Sequence, residues 1–268
     1  MKYQLHFKED FPRRALFFLC EVQFLLVIIY SVLWITGHHS HLFSLDGEAN
    51  IPAWFSSLQL ALVGFVLLAQ NMNYDTMSRL TQKFIRFSGF GFLLLSADEA
   101  GGIHEAIGTF FRMTGIRSND ESKVGIWVFL YLFTGIVILI WGWKAVKNLY
   151  RDFRKELILA SAGMAIAIIG GVMLESLMHY FDLHDMPNQT LYKLEVIFEE
   201  WFEMFGISLV FFAASGMLVK CQHLRQFHKD SADADNAEMF DNKILLSPGF
   251  EASYSGKLKR KKRQTKDK

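Results

Sequence analysis

Four ionisable residues stand inside one apolar stretch, LLLSADEAGGIHEAIGTFF, at residues 93–111. They are Asp98, Glu99, His104 and Glu105. Carboxylate and imidazole groups bind metal ions and transfer protons, and both kinds of chemistry depend on where the groups are held. In a bilayer, a charge near the centre costs about 2.5–3.5 kcal/mol on insertion scales. The pattern therefore indicates a functional site within this stretch rather than a simple apolar anchor.

Two later apolar stretches carry side chains of the same types. The segment ILASAGMAIAIIGGVMLESLMHY contains Glu175 and His179, which are four residues apart and therefore share one helix face. The segment LYKLEVIFEEWFEMFGISLVFF contains four glutamates. These are Glu195, Glu199, Glu200 and Glu203. Glutamates with a spacing of four residues form a stripe along a helix, so this segment also presents a polar face.

The elements that must hold these residues are long apolar helices. Of the 268 residues, 51% are hydrophobic and 21% are charged, and the apolar residues occur in blocks. A membrane-spanning helix needs roughly 20 mostly apolar residues. Six blocks are long enough, at approximately 15–35, 53–70, 84–111, 124–143, 157–180 and 191–219. We therefore predict an all-α fold, a polytopic transmembrane helix bundle of about six spans covering residues 15–219.

Basic residues predict the orientation of this bundle. Lys and Arg are concentrated in the N-terminal arm, residues 1–14, and in the second-to-third and fourth-to-fifth connections, whereas loops 37–52 and 181–190 contain neither residue type. By the positive-inside rule, both termini lie in the cytoplasm. Residues 220–268 are polar and end in GKLKRKKRQTKDK, so we predict a disordered cytoplasmic tail. Its basic end is expected to contact anionic membrane lipid rather than nucleic acid.

With this orientation, the acids of three different spans reach similar depths. Glu105 lies roughly 9 Å and Asp98 roughly 20 Å below the outer end of the third span. The sixth span runs inward, and its glutamates descend from roughly 6 Å to 18 Å. Glycines such as Gly171 and Gly206 follow the same faces, and small residues let membrane helices approach closely. The sequence therefore predicts one acidic site in the outer half of the bundle.

A metal ion is the expected means of neutralising so many carboxylates. Carboxylate and imidazole ligands suit iron, zinc or manganese, as in the carboxylate-bridged di-iron bundles, although the spacings differ here. The predicted ligands are Asp98, Glu105, Glu175, His179, Glu195, Glu199 and Glu203. Glu99, His104 and Glu200 are the predicted catalytic groups, acting in proton transfer beside the metal.

Several functions are compatible with this arrangement. The first is a metal-dependent membrane enzyme, a hydrolase or an oxidoreductase, acting on a lipid or another apolar substrate. The second is a transporter or channel for protons or divalent cations that uses the same carboxylates. Other possibilities are protonated, hydrogen-bonded glutamates around water, or acids that pair with a partner membrane protein. The inner halves of the spans hold almost no ionisable group apart from Glu21, which favours the enzyme.

The segments SADEAGGIHEAIG and EEWFEMFGISL resemble a family of uncharacterised bacterial multi-pass membrane proteins. That family has an S-x-D-E…H-E helix and a final helix with E-E-x-x-E-M-x-G. The matching residues are Ser96, Asp98, Glu99, His104, Glu105, Glu199, Glu200, Glu203, Met204 and Gly206. The resemblance implies a bacterial inner-membrane location and no particular activity. Ceramidase-like zinc hydrolases also combine Ser, Asp, Glu and His from several spans, but their paired H-x-x-x-H is missing here.

Overall fold

A computed structural model describes seven α-helices and two shorter helical segments. It covers residues 7–47, 49–70, 77–103, 106–107, 110, 113, 126–174 and 189–245. The α-helices are α1 (Phe11–Ile35), α2 (Ile51–Gln70), α3 (Arg79–Gly101), α4 (Ile126–Trp141), α5 (Trp143–Asp152), α6 (Arg154–Ile168) and α7 (Gln189–Leu245). A 3₁₀ helix covers His41–Phe43, and a π-helical segment, Ile169–Leu174, continues α6. No strand occurs in these ranges, so the predicted all-α class is confirmed.

Four helices are long and apolar enough to cross a membrane. They are α1, α2, the segment Arg154–Val172, and the segment Thr190–Phe227 of α7. A fifth span results if α4 and α5 count together, although a bend of 70° separates them. Helix α3 is not in this set, because Arg86 and Asp98 bound a short uncharged run. The structure therefore supports a membrane-inserted helical bundle, while the prediction of six spans stays a prediction.

Close backbone contacts hold α2 against α3. A Cβ atom added at Gly64 would lie 2.9 Å from the carbonyl oxygen of Gly89, and one added at Gly89 would lie 3.1 Å from that of Gly64. Because glycine has no side chain, the two backbones meet directly, as small residues allow in membrane helices. Ser78 begins α3 by accepting a hydrogen bond from the Thr81 backbone N–H at 3.2 Å.

The largest buried cluster joins α1 and α2 to α7. Leu19 and Leu26 of α1 and Val63 of α2 pack with Phe211 and Leu218 of α7. All five side chains are buried. Among the candidate spans, α7 has the greatest buried share of its apolar window, 61% against 11–33% for α1, α2 and the span that begins at Arg154. Helix α7 is therefore the central element against which the others pack.

The two ends of the bundle differ in charge and are called the acidic end and the basic end. The acidic end contains the loop from Thr36 to Asn50, the end of α3 and the beginning of α7. At the opposite, basic end, the Lys220 ammonium donates a hydrogen bond of 3.1 Å to the carbonyl oxygen of Asp152. It also lies 3.7 Å from the Glu156 carboxylate. These contacts connect α7 to α5 and α6 at the basic end.

Helix α7 is longer than the sequence predicted. It continues to Leu245, so residues 220–245 are helical in the structure, where we expected a disordered segment. The polar, acidic composition of KDSADADNAEM suggested disorder, but no glycine or proline occurs between Gly216 and Pro248 to end the helix. The chain divides into two compact units after Cys221, and the rest of the predicted tail, 246–268, lies outside the described residues.

Candidate functional site

Asp98 is held at the point where α3 ends. Gly102 adopts a left-handed conformation, with φ of 59°, and its N–H donates a hydrogen bond of 2.8 Å to the Asp98 carbonyl oxygen. The side chain of Asp98 is only 7% exposed. The Tyr131 hydroxyl of α4 donates a hydrogen bond of 2.9 Å to its Oδ2 atom. Burial together with a hydroxyl donor fixes the orientation of this carboxylate.

Two residues before Asp98, two serines bond α3 to α2. The Ser57 hydroxyl donates to the Ser96 carbonyl oxygen at 2.8 Å, and the two hydroxyl oxygens are 3.0 Å apart. Small side chains and hydroxyl contacts are common at interfaces between membrane helices. The pair sets the position of α3 beside α2 immediately below Asp98.

Helices α6 and α7 approach each other through glycines. A Cβ atom added at Gly163 would lie 2.6 Å from the Gly206 carbonyl oxygen, and one added at Gly206 would lie 2.6 Å from the Ala167 nitrogen. Real Cβ atoms do not approach a backbone this closely, so each position requires glycine. Helical spacing predicts that Gly206 shares a face with the glutamates of α7. In the structure this glycine contacts the backbone of α6.

The π-helical segment lies against the glutamates of α7. A Cβ atom at Gly170 would be 2.8 Å from the Glu199 carbonyl oxygen, and one at Gly171 would meet the Glu203 carboxylate itself. The Glu203 carboxylate thus occupies the space that a side chain at Gly171 would fill. Single π-helical turns often occur at functional sites. The apolar pattern of this segment did not predict a π-helical turn. The available signal was the pair of adjacent glycines, Gly170 and Gly171.

Five carboxylates form an acid cluster, defined here as Asp46, Glu99, Glu199, Glu200 and Glu203. Glu200 is its centre, because the carboxylates of the other four all lie within electrostatic range of it and repel it. They come from the Thr36–Asn50 loop, from α3 and from α7 itself. The Glu200 side chain is mostly buried. Repulsion among close carboxylates in an apolar setting favours binding of protons or cations.

The loop residue Asp46 is also bonded to the beginning of α7. The Tyr192 hydroxyl donates a hydrogen bond of 2.7 Å to Asp46 Oδ2, and the Lys193 ammonium is 3.8 Å from the same atom. That ammonium lies 5.7 Å from the Tyr30 ring centroid and 5.2 Å from that of Tyr192, which are cation–π distances. Sequence reasoning missed Asp46, because one aspartate in a polar loop has no distinguishing pattern.

An aromatic group occupies a different face of α7. The rings of Trp201 and Phe205 are stacked with centroids 5.1 Å apart, and Phe202 lies 5.4 Å from Trp201. Phe198, one turn away, is half-exposed and lies 6.4 Å from Phe202. At 100° per residue, these rings are centred on the side of the helix away from the glutamates, so α7 has an acidic side and an aromatic side.

The structure brings together part of the predicted site. Glu99, Glu199, Glu200 and Glu203 lie in the acid cluster. Asp98 is bonded to Tyr131, and Glu195 lies within electrostatic range of the Tyr192 hydroxyl. The remaining predicted residues lie outside the described part of the chain. They are His104, Glu105, Glu175 and His179.

The described residues hold no complete metal site. Within the described ranges, no group of three or more His, Cys, Asp or Glu side chains has the geometry to hold a metal ion. The acid cluster alone is therefore a group of neighbouring charges rather than a formed ligand set. A metal centre here requires ligands from the predicted residues outside those ranges, for which Glu105, Glu175 and His179 are the candidates.

Comparison with known proteins gives one result. Residues 15–217 match the model of a protein family described as a domain of unknown function, DUF8692. No curated protein and no solved structure matches the chain. The matched range contains the acid cluster and all of the predicted site residues.

Proposed function

The chain belongs to the DUF8692 family, whose function is unknown, and on the basis of its own site we propose that it is a metal-dependent membrane enzyme acting on a lipid or another apolar substrate. The observation that carries the proposal is the acid cluster, whose Glu203 carboxylate lies against Gly171 of the π-helical segment. Carboxylates would hold the metal and transfer protons, and the surrounding membrane would supply the apolar substrate.

In this proposal the metal is iron, zinc or manganese, bound at the outer side of a bacterial inner membrane with both termini in the cytoplasm. Glu199 and Glu203 would supply two ligands from α7, and the remaining predicted ligands, Asp98, Glu105, Glu175, His179 and Glu195, would complete the set. Glu200 and Glu99 would act as proton donors or acceptors beside it. The metal would activate water or dioxygen, giving a hydrolase or an oxidoreductase.

Metal analysis of purified protein tests the first half of the proposal. We expect the wild-type protein to retain a stoichiometric amount of one of these metals, and the Glu203→Gln variant to lose most of it. Glu156→Gln is the matched control, because Glu156 is a glutamate at the basic end, 3.7 Å from Lys220. Wild-type protein with no more metal than the Glu203→Gln variant would refute the metal site.

Incubation with membrane lipid tests the second half. We expect the metal-loaded protein to convert one lipid class, detected by mass spectrometry, and the Glu200→Gln variant to bind metal without conversion. Conversion by that variant at the wild-type rate would remove Glu200 from the proton-transfer role.

A transporter or channel for protons or divalent cations is a second candidate, favoured by one observation. Buried polar side chains continue along α7 beyond the acid cluster, at Ser208 and Ser215. Ion flux in proteoliposomes separates the two functions. Flux in the wild type that Glu203→Gln abolishes would favour the transporter, and a tight vesicle with intact lipid conversion would favour the enzyme.

A further inference from the structure

Two glutamines from different helices meet on α7 below the acid cluster. Gln23 of α1 and Gln59 of α2 are both 0% exposed. The Gln23 Nε2 group donates to the Ser208 hydroxyl at 2.7 Å and to the Met204 carbonyl oxygen at 3.0 Å. The Gln59 Nε2 group donates to the same two oxygens at 2.8 Å and 3.4 Å. These three side chains, with the Met204 carbonyl, are called the amide layer.

The amide N–H donors of this layer are used, and the two amide oxygens are not. Each Nε2 group has two hydrogens, and each makes two hydrogen bonds. The Oε1 atoms of Gln23 and Gln59 are buried and have no hydrogen-bond partner in the described part of the chain. Turning the Gln23 amide over would place its Oε1 3.0 Å from the Met204 carbonyl oxygen, where two acceptors repel each other, and the same repulsion acts more weakly on Gln59 at 3.4 Å. In the observed orientation the open amide positions are oxygens, which accept hydrogens.

The chemistry of a ligand for this layer follows from that imbalance. It must donate two hydrogen bonds and be small enough for a fully buried space between three helices. A metal ion is disfavoured, because the layer offers it only two neutral amide oxygens and no carboxylate. Water meets both requirements, and buried waters typically bond to polar groups that would otherwise be unsatisfied.

We propose that the amide layer binds an ordered water molecule, which donates to Gln23 Oε1 and Gln59 Oε1. Ser208 follows Glu203 by five residues, or roughly 7.5 Å along the helix. The water site thus extends the polar interior of the bundle from the acid cluster towards its middle. The inference rests on the amides alone and does not require the proposed metal.

The reactivity of an introduced cysteine tests whether water reaches the amide layer. The chain has only two cysteines, Cys20 and Cys221, so a Cys20→Ala, Cys221→Ala background is available. In that background, Ser208→Cys is compared with Ala213→Cys, a buried residue on the same helix. The probe is hydrogen peroxide, applied to protein in detergent, which is little larger than water and oxidises the thiolate, a form that needs water around it. We expect modification at position 208 to be at least about tenfold faster, which is 1.4 kcal/mol in activation free energy.

Equal, slow modification at both positions would overturn the proposal. Adding Gln59→Leu to the Ser208→Cys protein removes one acceptor, so the rate should fall towards that of Ala213→Cys. An unchanged rate would mean that the amides do not hold the water, and would also overturn the proposal. Metal content is unaffected in either case, so the result is independent of the proposed enzyme.

A measurement on the unaltered protein covers the case in which the Ser208→Cys variant fails to fold. In an experimental map that resolves waters, the proposal requires a peak within hydrogen-bonding distance of both Oε1 atoms. Direct contact of those oxygens with protein donors, and no intervening peak, would refute it.

Discussion

Replacing Gly206 with alanine puts a methyl group where α6 and α7 are in backbone contact. The added Cβ would lie 2.6 Å from the Ala167 nitrogen and 2.8 Å from the Ala167 Cβ. Neither neighbour is the flexible end of a long side chain, so the strain has to be relieved by moving one helix away from the other. That movement also changes the position of Gly171 relative to the Glu203 carboxylate.

The cost follows from packing. Inserting a methyl group into a well-packed interface typically destabilises a protein by about 1–3 kcal/mol. Alanine also raises helix propensity over glycine by about 1 kcal/mol, which partly offsets the loss. Gly91→Ala is the matched control, because Gly91 lies within α3 and a Cβ there would meet nothing within 4 Å. The propensity gain is common to both variants, so the difference between them reports the packing cost.

Thermal unfolding of the purified protein in detergent measures this difference. One kcal/mol corresponds to about 2–4 °C in Tm for a domain of this size. We expect Gly206→Ala to unfold about 2–12 °C below Gly91→Ala, with Gly91→Ala at or slightly above the wild type. If both variants unfold at the same temperature, the close approach of α6 and α7 is wrong, and so is the contact between Gly171 and Glu203 that depends on it.

Two further variants test contacts at the ends of the bundle. Tyr131→Phe removes the hydroxyl that donates to buried Asp98, and we expect a loss of about 1–3 kcal/mol in thermal unfolding. Tyr150→Phe, at a half-exposed ring on α5, is its control, and equal losses in the two variants would contradict the bond to Asp98. Lys220→Met removes a hydrogen bond to the α5 backbone and an ion pair with Glu156, for a loss of about 1 kcal/mol. Part of this loss should disappear in 1 M salt, since partly exposed ion pairs are screened, and a difference from wild type that is independent of salt would refute the ionic contribution.

The helices were predictable from the sequence because long apolar runs leave few alternatives. The predicted blocks 15–35 and 53–70 correspond to α1 (Phe11–Ile35) and α2 (Ile51–Gln70). Hydropathy, however, does not report bends. The predicted block 124–143 ends near Gly142, where α4 and α5 meet at 70° and where a Cβ would collide with the Phe84 ring. That bend depends on a contact between helices, which no local pattern contains.

Site residues that share a helix could be predicted from the sequence. The residue that joins the site through the fold of the Thr36–Asn50 loop could not. Helical spacing placed Glu199 and Glu203 on one face, and both lie near Glu200 in the structure. Glu99 and Glu200 were predicted as catalytic groups on different helices, and the structure places their carboxylates within electrostatic range of each other. Asp46 belongs to the cluster because the loop folds over the beginning of α7. Contacts between distant segments of this kind need three-dimensional information.

The central position of α7 bears on how its acids are used. Its main chain accepts hydrogen bonds from Gln23 and Gln59 at Met204 and from Gln70 at Ala214, so α1 and α2 are bonded to it at two levels. Acids that served to pair with another membrane protein would face away from the bundle. Here Glu203 faces Gly171 of the neighbouring π-helical segment. The acids therefore belong to the interior of the bundle, which favours a binding site over an assembly surface.

A second polar level on α7 limits how far water penetrates. Gln70 Oε1 and Ser215 Oγ are buried without a hydrogen-bond partner in the described residues, as in the amide layer. Along the helices, Val63 and Phe211 lie between the two levels, and both are buried. Ser215→Cys should therefore react with hydrogen peroxide as slowly as Ala213→Cys, even though Ser208→Cys reacts fast. Fast reaction at both positions would mean that a continuous polar path crosses the apolar layer, and the enzyme would then give way to the transporter.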